Sequence, residues 1–475
     1  MSKFNFTLSP ALTTMPRKNR FASPSESATP QTDGEVHFLA QALDFYRASQ
    51  RAGKDAPYGQ FLNYADAAVK EKGQELLRAT LENIVQTEID DVEKKKETRL
   101  CPTCQQNRRH LGYHTKLIHT SNGIIEPERR YEKCYPCGMP EHAADSPLGL
   151  EEDYTVGFRM LAVYAGSRGA YEKAEEDLKV YRGLEISRET IRMLCHQEAP
   201  KVRRFVETSI EVPKDFIAAL GNVEFTMDAT KVNTLQGWRD MKIGIFIKRL
   251  LGECVDISYW DKRTRRMLPD ENACVAFAAI LEKDLFQKQV NDYRSRLHVG
   301  STGDISVLAD GADWIWNISR DVFGNVRECL DVYHALEHLS DTGKVLYKEG
   351  TEVYEQWRET TKWELLESGF EKIAQRLDDL EKELAKEENV DHKLESIRKL
   401  RRYLDNHKSR LGYCERLSEG RAIGSGQVEG ACKSMIGRRL KQTNARWDVD
   451  RLNEMAVLCA VHYSDLWEKY WILAN

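Results

Sequence analysis

The chain contains no apolar stretch approaching the roughly 18 residues needed to cross a membrane, so no membrane-spanning segment is expected. Its first ten residues lack a charged segment followed by an apolar core, and we therefore expect no secretory leader. Eleven cysteines among 475 residues are too few for a fold held together by disulfides. These absences together predict a cytoplasmic protein whose thiols stay reduced.

The chain also lacks an excess of positive charge. It carries 70 lysines and arginines against 75 acidic residues, which gives a net charge of −5. Bulk charge therefore gives no sign of a nucleic-acid partner, and such a partner would have to be recognised by local basic patches. At 475 residues the chain is long enough for several domains, since one domain usually takes about 100–200 residues.

The N-terminal part of the chain divides into two regions. Residues 1–35 are rich in serine, threonine, proline and glutamine without periodic apolar positions, which predicts a disordered tail. In residues 36–98 apolar side chains recur at helical spacing, which predicts a helical N-terminal region.

Two C-x-x-C pairs in residues 99–140 have the spacing of the two knuckles of a zinc ribbon, with a hairpin-like stretch between them. The pattern predicts a tetrahedral Zn²⁺ site, although a redox motif or a chance pairing would also place cysteines in this way. The candidate zinc ligands are Cys101, Cys104, Cys134 and Cys137. The basic residues between the pairs either contact DNA phosphates or belong to a ribbon that serves only folding; they are Arg108, Arg109, His110, His114, Lys116, Arg129 and Arg130.

Residues 150–205 predict a helix, a glycine-containing turn at Gly183 and a second helix. This order is that of a helix-turn-helix, whose second helix enters the major groove of DNA. An ordinary pair of antiparallel helices would show the same pattern. The candidate DNA contacts lie at the start of the second helix: Ser187, which is also a good N-cap, Arg188, Thr190 and Arg192.

From residue 220 onward the pattern is mixed α/β. Three strands are predicted at 223–228, 241–247 and 252–259, then a helix with Cys274, Phe277, Ala278 and Leu281 on one face. Two short strands follow at 306–310 and 327–331. Residues 340–420 predict a helical insertion whose apolar stripe, 365–384, would form either a coiled coil with a second subunit or an intramolecular helix pair. Residues 421–475 contain the last helices.

Three carboxylates occupy special places in this order. Asp228 is expected to end the first strand and Asp310 the fourth, while Glu429 opens a helix after a glycine-rich turn. Strand ends and a helix N-terminus can converge on one crevice, and carboxylates there suit Mg²⁺ and two-metal phosphoryl transfer. The alternative is that each acid only forms a turn or interacts with the helix dipole. Asp331 also ends a strand and is a further candidate ligand.

The helix that Glu429 opens continues with basic residues and no further acid. These cations either neutralise DNA phosphates or form a solvated helix face. They are Lys433, Arg438, Arg439, Lys441 and Arg446.

The blocks around Asp228, Asp310, Asp331–His338 and Gly424–Lys433 resemble bacterial insertion-sequence transposases of the ISKra type, within the DDE class and related to Mutator-like enzymes. The resemblance covers about residues 95–470. It implies a ribonuclease-H-like core interrupted by an all-helical insertion, with metal-dependent cleavage of transposon ends and strand transfer into target DNA. It implies Asp228, Asp310 and Glu429 as the Mg²⁺- or Mn²⁺-binding triad, with His334 in an Asp-x-x-His element beside them.

The same resemblance implies double-stranded DNA as the partner, both terminal repeats and target, with several copies of the chain on DNA and a nucleoid-associated location. Two alternatives remain at this stage. One is a zinc and helix-turn-helix regulator with an inactive ribonuclease-H-like domain, and the other is a nuclease without strand transfer. The presence of all three acids argues against the first.

Overall fold

The computed structural model of the protein describes residues 32–95, 100–101, 103–262, 268–300, 304–442 and 444–473. The chain forms two compact units, Met1–Phe158 and Arg159–Asn475. Most of the predicted disordered tail, residues 1–31, lies outside the described residues. The end of that prediction is wrong, because a helix begins at Asp33 with a capping box between Thr32 and Glu35.

The first unit combines a helical hairpin with a small β structure. Its elements are α1 (Asp33–Lys54), α2 (Phe61–Lys94), β1 (Arg109–Thr115), β2 (Ile118–Thr120), β3 (Gly123–Ile125), β4 (Glu128–Lys133), β5 (Pro140–His142) and α3 (Asp145–Leu148). The predicted hairpin is β2–β3, closed at the pair Thr120 and Gly123. A second sheet has the order β1-β4-β5; one C-x-x-C pair precedes β1, and the other lies between β4 and β5. Ile89 of α2 packs with Ile118 and Ile125 of the hairpin in the core of this unit.

The second unit contains a five-stranded sheet among helices. Its elements up to the end of the sheet are α4 (Val156–Arg168, which begins just before the boundary), α5 (Tyr171–Arg182), α6 (Arg188–Thr208), α7 (Glu211–Ala218), β6 (Asn222–Thr234), β7 (Gly237–Arg249), α8 (Ile257–Lys262), β8 (Ala273–Ala279), α9 (Lys283–Arg296), β9 (Ile305–Ala309), α10 (Asp313–Phe323) and β10 (Arg327–Leu330). The fold class predicted from the sequence, mixed α/β, is confirmed.

The sheet has the order β10-β9-β6-β7-β8. β6, β7 and β8 are antiparallel neighbours, while β9 runs parallel to β6 and β10 parallel to β9. The third strand is β8, so the predicted strand at 252–259 and the predicted helix over Cys274–Leu281 are both wrong. Residues Val275–Ala279 are buried, and a strand buried on both faces is a continuous apolar run without the alternation that distinguishes strand from helix.

Five helices separate β10 from the last part of the chain: α11 (Val332–Leu346), α12 (Glu352–Ser368), α13 (Phe370–Leu384), α14 (Asp391–Asn406) and α15 (Tyr413–Ser418). The apolar stripe is not one helix, because Gly369 breaks it at a positive φ of 58°. Leu365, Leu366, Ile373 and Leu377 are buried within the chain, and α13 packs on α12 and α14. The stripe therefore forms an intramolecular helix packing.

The chain ends in a broken helix and two further helices. α16 (Gly426–Ala431) continues through one π-helical turn, Cys432–Gly437, into α17 (Arg438–Leu440), and α18 (Val449–Tyr463) and α19 (Trp467–Leu473) follow. Ser464 follows α18, and its hydroxyl accepts a hydrogen bond from the Ala276 N–H of β8 at 2.8 Å. No helix in the described part of the chain is long and apolar enough to span a membrane.

Candidate metal centres and nucleic-acid interface

The strand register brings Asp228 and Asp310 to the same level of the sheet. The parallel pair β6–β9 ends at Thr226 opposite Leu308, and two residues further along both strands are Asp228 and Asp310. Neighbouring strands lie about 4.8 Å apart. Asp228 does not end its strand as expected, because β6 continues to Thr234 with β7 as its partner there. It lies instead at the point where β6 loses its other neighbour, which opens that side of the strand.

The helix α16 brings the third acid to this place. It packs against β6, and the thiol of Cys432, one turn after Glu429, lies 3.5 Å from Asp228 Oδ2. The Glu429 side chain belongs to the first turn of α16 and is exposed. A π-helical turn follows at Cys432–Gly437, and such turns are frequent at functional sites.

The surroundings of Asp228 shift the pKa of its carboxyl group. Burial raises the pKa of the Asp228 carboxyl above its ordinary value, and the charges of Asp310 and Glu429 raise it further; the N–H of Ala229 and the thiol of Cys432 oppose this shift. Asp228 Oδ1 accepts from Ala229 N at 2.6 Å, and Asp310 Oδ1 accepts from Ala312 N at 3.0 Å. Asp228 is close enough to Asp310 and Glu429 to be repelled by both, but among the described residues the three acids do not form a tight group of metal ligands.

Burial and this repulsion, which together raise the pKa of Asp228, lead to a prediction about stability. The pKa of Asp228 is raised in the folded state. Protonation of this carboxyl group therefore stabilises the fold at low pH, and that stabilisation is lost as the pH rises through the raised pKa. We expect Asp228→Asn to raise the free energy of unfolding at pH 7 in metal-free buffer by more than about 0.5 kcal/mol, beyond the range of an ordinary surface substitution. Denaturant unfolding at pH 7 and pH 3 measures this gain, which should disappear at pH 3.

The matched control for that measurement is Asp240→Asn. Asp240 is an exposed carboxylate of the same sheet that pairs with Lys231 at 2.9 Å, and an exposed pair contributes about 0–1 kcal/mol. We expect Asp240→Asn to be neutral or slightly destabilising. An Asp228→Asn variant less stable than wild type at pH 7 would contradict the repulsion described here.

Asp331 also lies in this row, but its carboxylate is already engaged. Its Oδ1 accepts from the His334 N–H at 2.9 Å, and its Oδ2 accepts from Ser425 N at 2.5 Å and Ser425 Oγ at 2.8 Å. The residue is 7% exposed. Three protein donors therefore use three of the roughly four lone-pair positions of this carboxylate, so that hydrogen bonds to the chain fix its orientation.

His334 lies on the first turn of α11 with its side chain 38% exposed and its Nδ1 3.7 Å from Glu337 Oε2. Its ring meets the ring of His338 edge-on at 5.0 Å. Within the described residues no contact joins His334 to Asp228, Asp310 or Glu429. The structure therefore places His334 near Asp331 through the backbone, and not against the three acids.

Sequence reasoning missed the side chains that the helical insertion brings to Asp310. Tyr403 of α14 approaches Gly311, the residue after Asp310, so closely that a Cβ at Gly311 would lie 2.5 Å from the Tyr403 hydroxyl. That hydroxyl is buried without a hydrogen-bond partner among the described residues. The Tyr403 ring also contacts His338 at 4.0 Å. More than ninety residues of chain separate Tyr403 from Gly311, and a local sequence pattern does not predict a contact over that distance.

The predicted zinc ligands do form a compact group. The sulfur atoms of Cys101, Cys104, Cys134 and Cys137 all lie within 4.8 Å of one another. Each C-x-x-C pair is followed by a residue at positive φ, Gln105 at 57° and Gly138 at 68°, which lets the backbone turn around the thiols. The N–H of Cys104 is the main cause that lowers the pKa of the Cys101 thiol to about 6. Four thiols in this arrangement suit Zn²⁺.

Most basic side chains of the ribbon are already paired. Arg108 pairs with Glu141, Arg129 with Asp145 at 2.5 Å and Arg130 with Glu132 at 2.8 Å, and Lys116 donates to the Leu150 carbonyl at 2.7 Å. The imidazole of His114 stacks on Tyr131, and His110 meets Tyr113 edge-on. Arg109 is exposed and lies over the Tyr135 ring at 4.9 Å. Of the ribbon cations, Arg109 is thus the one best placed to meet an external anion.

The predicted helix-turn-helix segment consists of α5, a turn with Gly183 at a φ of 65°, and α6 capped by Ser187. Ser187 Oγ accepts from Thr190 N at 3.1 Å, and the two hydroxyls lie 2.9 Å apart. Arg192 pairs with Glu189 at 2.5 Å, and Arg188 lies 3.7 Å from Glu172. The helices exist as predicted, but each predicted contact residue already has a partner in the chain.

The cations after Glu429 differ among themselves. Arg439 is 4% exposed; its Nε donates to the Gly166 carbonyl at 2.6 Å, and its guanidinium lies over the rings of Tyr171 and Trp447. It holds α17 against neighbouring helices and is not accessible to a phosphate. Lys441 is exposed and donates to the Thr230 hydroxyl, two residues beyond Asp228. The remaining three, all exposed and without a side-chain partner among the described residues, are Lys433, Arg438 and Arg446.

A comparison of the chain with models of known protein families finds no match, and a search of curated protein sequences finds none either.

Proposed function

We propose that this protein is a DNA transposase of the DDE class, which cleaves the ends of a mobile element and joins them to target DNA. The single observation that carries the proposal is the juxtaposition of Asp228, Asp310 and the helix of Glu429, which follows from the register of β6 and β9 and from the contact of Cys432 with Asp228. Carboxylates rarely gather in this way unless a cation or a catalytic task offsets their repulsion.

The order of the elements supports a ribonuclease-H-like core. Three antiparallel strands (β6–β8) are followed by a helix, two parallel strands (β9 and β10), a helical insertion and then the helix that carries Glu429. This is the order that the resemblance to ISKra-type transposases implies. The insertion stands directly before the last acid, where that resemblance also expects it.

The proposed cofactor is Mg²⁺ or Mn²⁺, which would polarise the scissile phosphate and activate the attacking water or 3′-hydroxyl. The ligands would be one oxygen of each acid. The N–H groups of Ala229 and Ala312 donate to Oδ1 of Asp228 and Asp310 and orient the two carboxylates. Glu429 is exposed, and its longer side chain can complete the site from the helix side.

The charge distribution near this site supports a polyanionic substrate. The acids alone would repel DNA, and the exposed cations that follow them on the chain can offset this repulsion. Their lack of acidic partners contrasts with the paired cations of the zinc ribbon and of α6. We therefore propose Lys433, Arg438, Lys441 and Arg446 as phosphate contacts, with the ribbon and the α5–α6 pair as secondary DNA-binding elements and a second copy of the chain on the other element end.

Salt dependence tests these contacts. We expect Lys433→Gln and Arg438→Gln each to reduce the slope of log K against log salt concentration by about 1, because each removes one phosphate contact. Fluorescence anisotropy with double-stranded DNA at several salt concentrations measures the slope. Lys399→Gln is the control, because Lys399 lies on α14, outside the proposed DNA-binding elements, and already pairs with Glu395 at 2.9 Å. An unchanged slope in the Lys433→Gln/Arg438→Gln double variant would exclude this surface.

The proposed function itself is tested with DNA that carries the native ends of the element and a separate target duplex, in Mg²⁺. We expect two products, cleaved ends and ends joined to target DNA. Cleavage without joining would support a nuclease instead. Binding of the ends without either product would leave a DNA-binding protein and contradict the proposal.

A further inference from the structure

Asp331 directly follows β10, the strand next to β9, and is hydrogen-bonded both to β9 and to the residue before α16. Its backbone N–H donates to the Ala309 carbonyl at 2.8 Å, directly before Asp310. Its Oδ2 accepts from both the N–H and the hydroxyl of Ser425. Ser425 is the residue before α16, and its carbonyl accepts from the N–H groups of Val428 and Glu429 at 3.0 and 3.4 Å. Asp331 is thus hydrogen-bonded both to the residue before Asp310 and to the residue that precedes the helix of Glu429.

The same place is the root of the helical insertion. Next to the Asp331–Ser425 contact, Val332 N donates to the Ile423 carbonyl at 3.0 Å. The chain therefore leaves the sheet at residues 331–332 and returns to the same point at residues 423–425. Five helices can lie between β10 and α16 while Glu429 stays at a fixed distance from the sheet, because these bonds close the insertion at its base.

We propose that Asp331 is a positioning residue that fixes Glu429 relative to Asp310 through Ser425, rather than a ligand of the metal ion. This inference rests on the proposed function, since it concerns the same three acids. Both Asp331 oxygens accept hydrogen bonds from protein groups and the side chain is buried. A carboxylate engaged in this way orients its partners, as residues behind metal ligands commonly do.

The proposal makes different demands on Asp331→Asn and Ser425→Ala. Asparagine caps a helix about as well as aspartate, so the bond to His334 N survives, but its amide group cannot accept from Ser425. Ser425→Ala removes only the hydroxyl donor and keeps the backbone donor. We expect DNA cleavage to fall about 10- to 100-fold in Asp331→Asn and less in Ser425→Ala, with a higher Mg²⁺ concentration needed for half-maximal rate in both.

A double variant and a control identify the cause. Because both changes break the same link, the variant carrying both should be no worse than Asp331→Asn alone. Asp448→Asn is the matched control: Asp448 caps α18 by accepting from Asp450 N and Arg451 N, away from this link, and should leave the Mg²⁺ requirement unchanged. Hydrogen exchange gives a readout without DNA, since the amides of α16 should exchange faster in Asp331→Asn while those of β6 do not.

Each outcome decides something. If wild type cleaves DNA but Ser425→Ala matches it in rate and Mg²⁺ requirement while Asp331→Asn is inactive at every Mg²⁺ concentration, Asp331 is a ligand and the positioning role is wrong. If wild type itself cleaves no DNA that carries its element ends, the proposed function fails. In that case unchanged exchange in α16 of Asp331→Asn would also overturn the structural link, and faster exchange would retain it.

Discussion

Replacing Cys134 with serine is expected to remove bound zinc from the protein and to unfold the ribbon of the first unit. Cys134 is buried, and its sulfur lies 3.4 Å from that of Cys104. A structural zinc site contributes about 10–16 kcal/mol in small domains, which is as large as the whole stability of a typical domain, about 5–15 kcal/mol. We therefore expect the loss of one thiolate ligand to cost more free energy than the folded state of this unit has in reserve.

The measurement combines metal content with unfolding. Mass spectrometry of the purified wild type should find one zinc per chain, and a chelator should abolish the unfolding transition of the first unit while leaving that of the second, which has its own sheet and core. Cys254→Ser is the control, because Cys254 is an exposed cysteine of the second unit. A metal-free wild type that stays folded in both units would contradict the zinc assignment.

The second large effect is expected at the three carboxylates. Asp228→Asn and Glu429→Gln should each lower the rate of DNA end cleavage by more than about 100-fold, since even residues behind metal ligands cost about 10–100-fold when changed. Each substitution keeps the size of the side chain and removes its charge. The variants should remain folded, and Asp228→Asn should become more stable, because burial and the charges of Asp310 and Glu429, which together raise the pKa of Asp228, no longer act on a negative charge.

Asp313→Asn is the control for that series. Asp313 lies three residues beyond Asp310 but is exposed at the first position of α10, whereas Asp310 directly follows the buried strand β9. Cleavage rates in Mg²⁺, measured with folded protein at equal concentration, should be near wild type for Asp313→Asn. Equal losses in Asp313→Asn and Asp310→Asn would show that the site has been placed on the wrong acid.

The sequence predicted those parts of the structure whose signal is local. Alternating or bounded apolar runs gave β6, β7, β9 and β10, and the two C-x-x-C pairs gave the cysteine cluster. β8 was mistaken for a helix because its residues form an uninterrupted apolar run. Such a run occurs both in strands buried on both faces and in buried helices, so periodicity does not distinguish the two. The expected end of the first strand at Asp228 was also wrong, since β6 keeps one partner strand after losing the other.

What could not be predicted depends on distant parts of the chain. The bond from Asp331 to Ser425 joins residues 94 positions apart, and the approach of Tyr403 to Gly311 depends on how five helices pack. The burial of Arg439 between Tyr171 and Trp447 is of the same kind, because spacing alone placed it on a basic helix face. Local sequence patterns identified the acids, whereas tertiary packing determines which neighbouring residues orient them.

The most direct test of the central claim, that these carboxylates hold the catalytic metal ion, exchanges one ligand atom. Asp310→Cys replaces a carboxylate oxygen with sulfur, which Mg²⁺ accepts poorly and a softer transition metal such as Mn²⁺ accepts better. DNA end cleavage by this variant, measured in each metal, should be lost in Mg²⁺ and restored in part by Mn²⁺, while wild type cleaves in both. Cleavage by Asp310→Cys in Mg²⁺ at the wild-type rate would contradict the account.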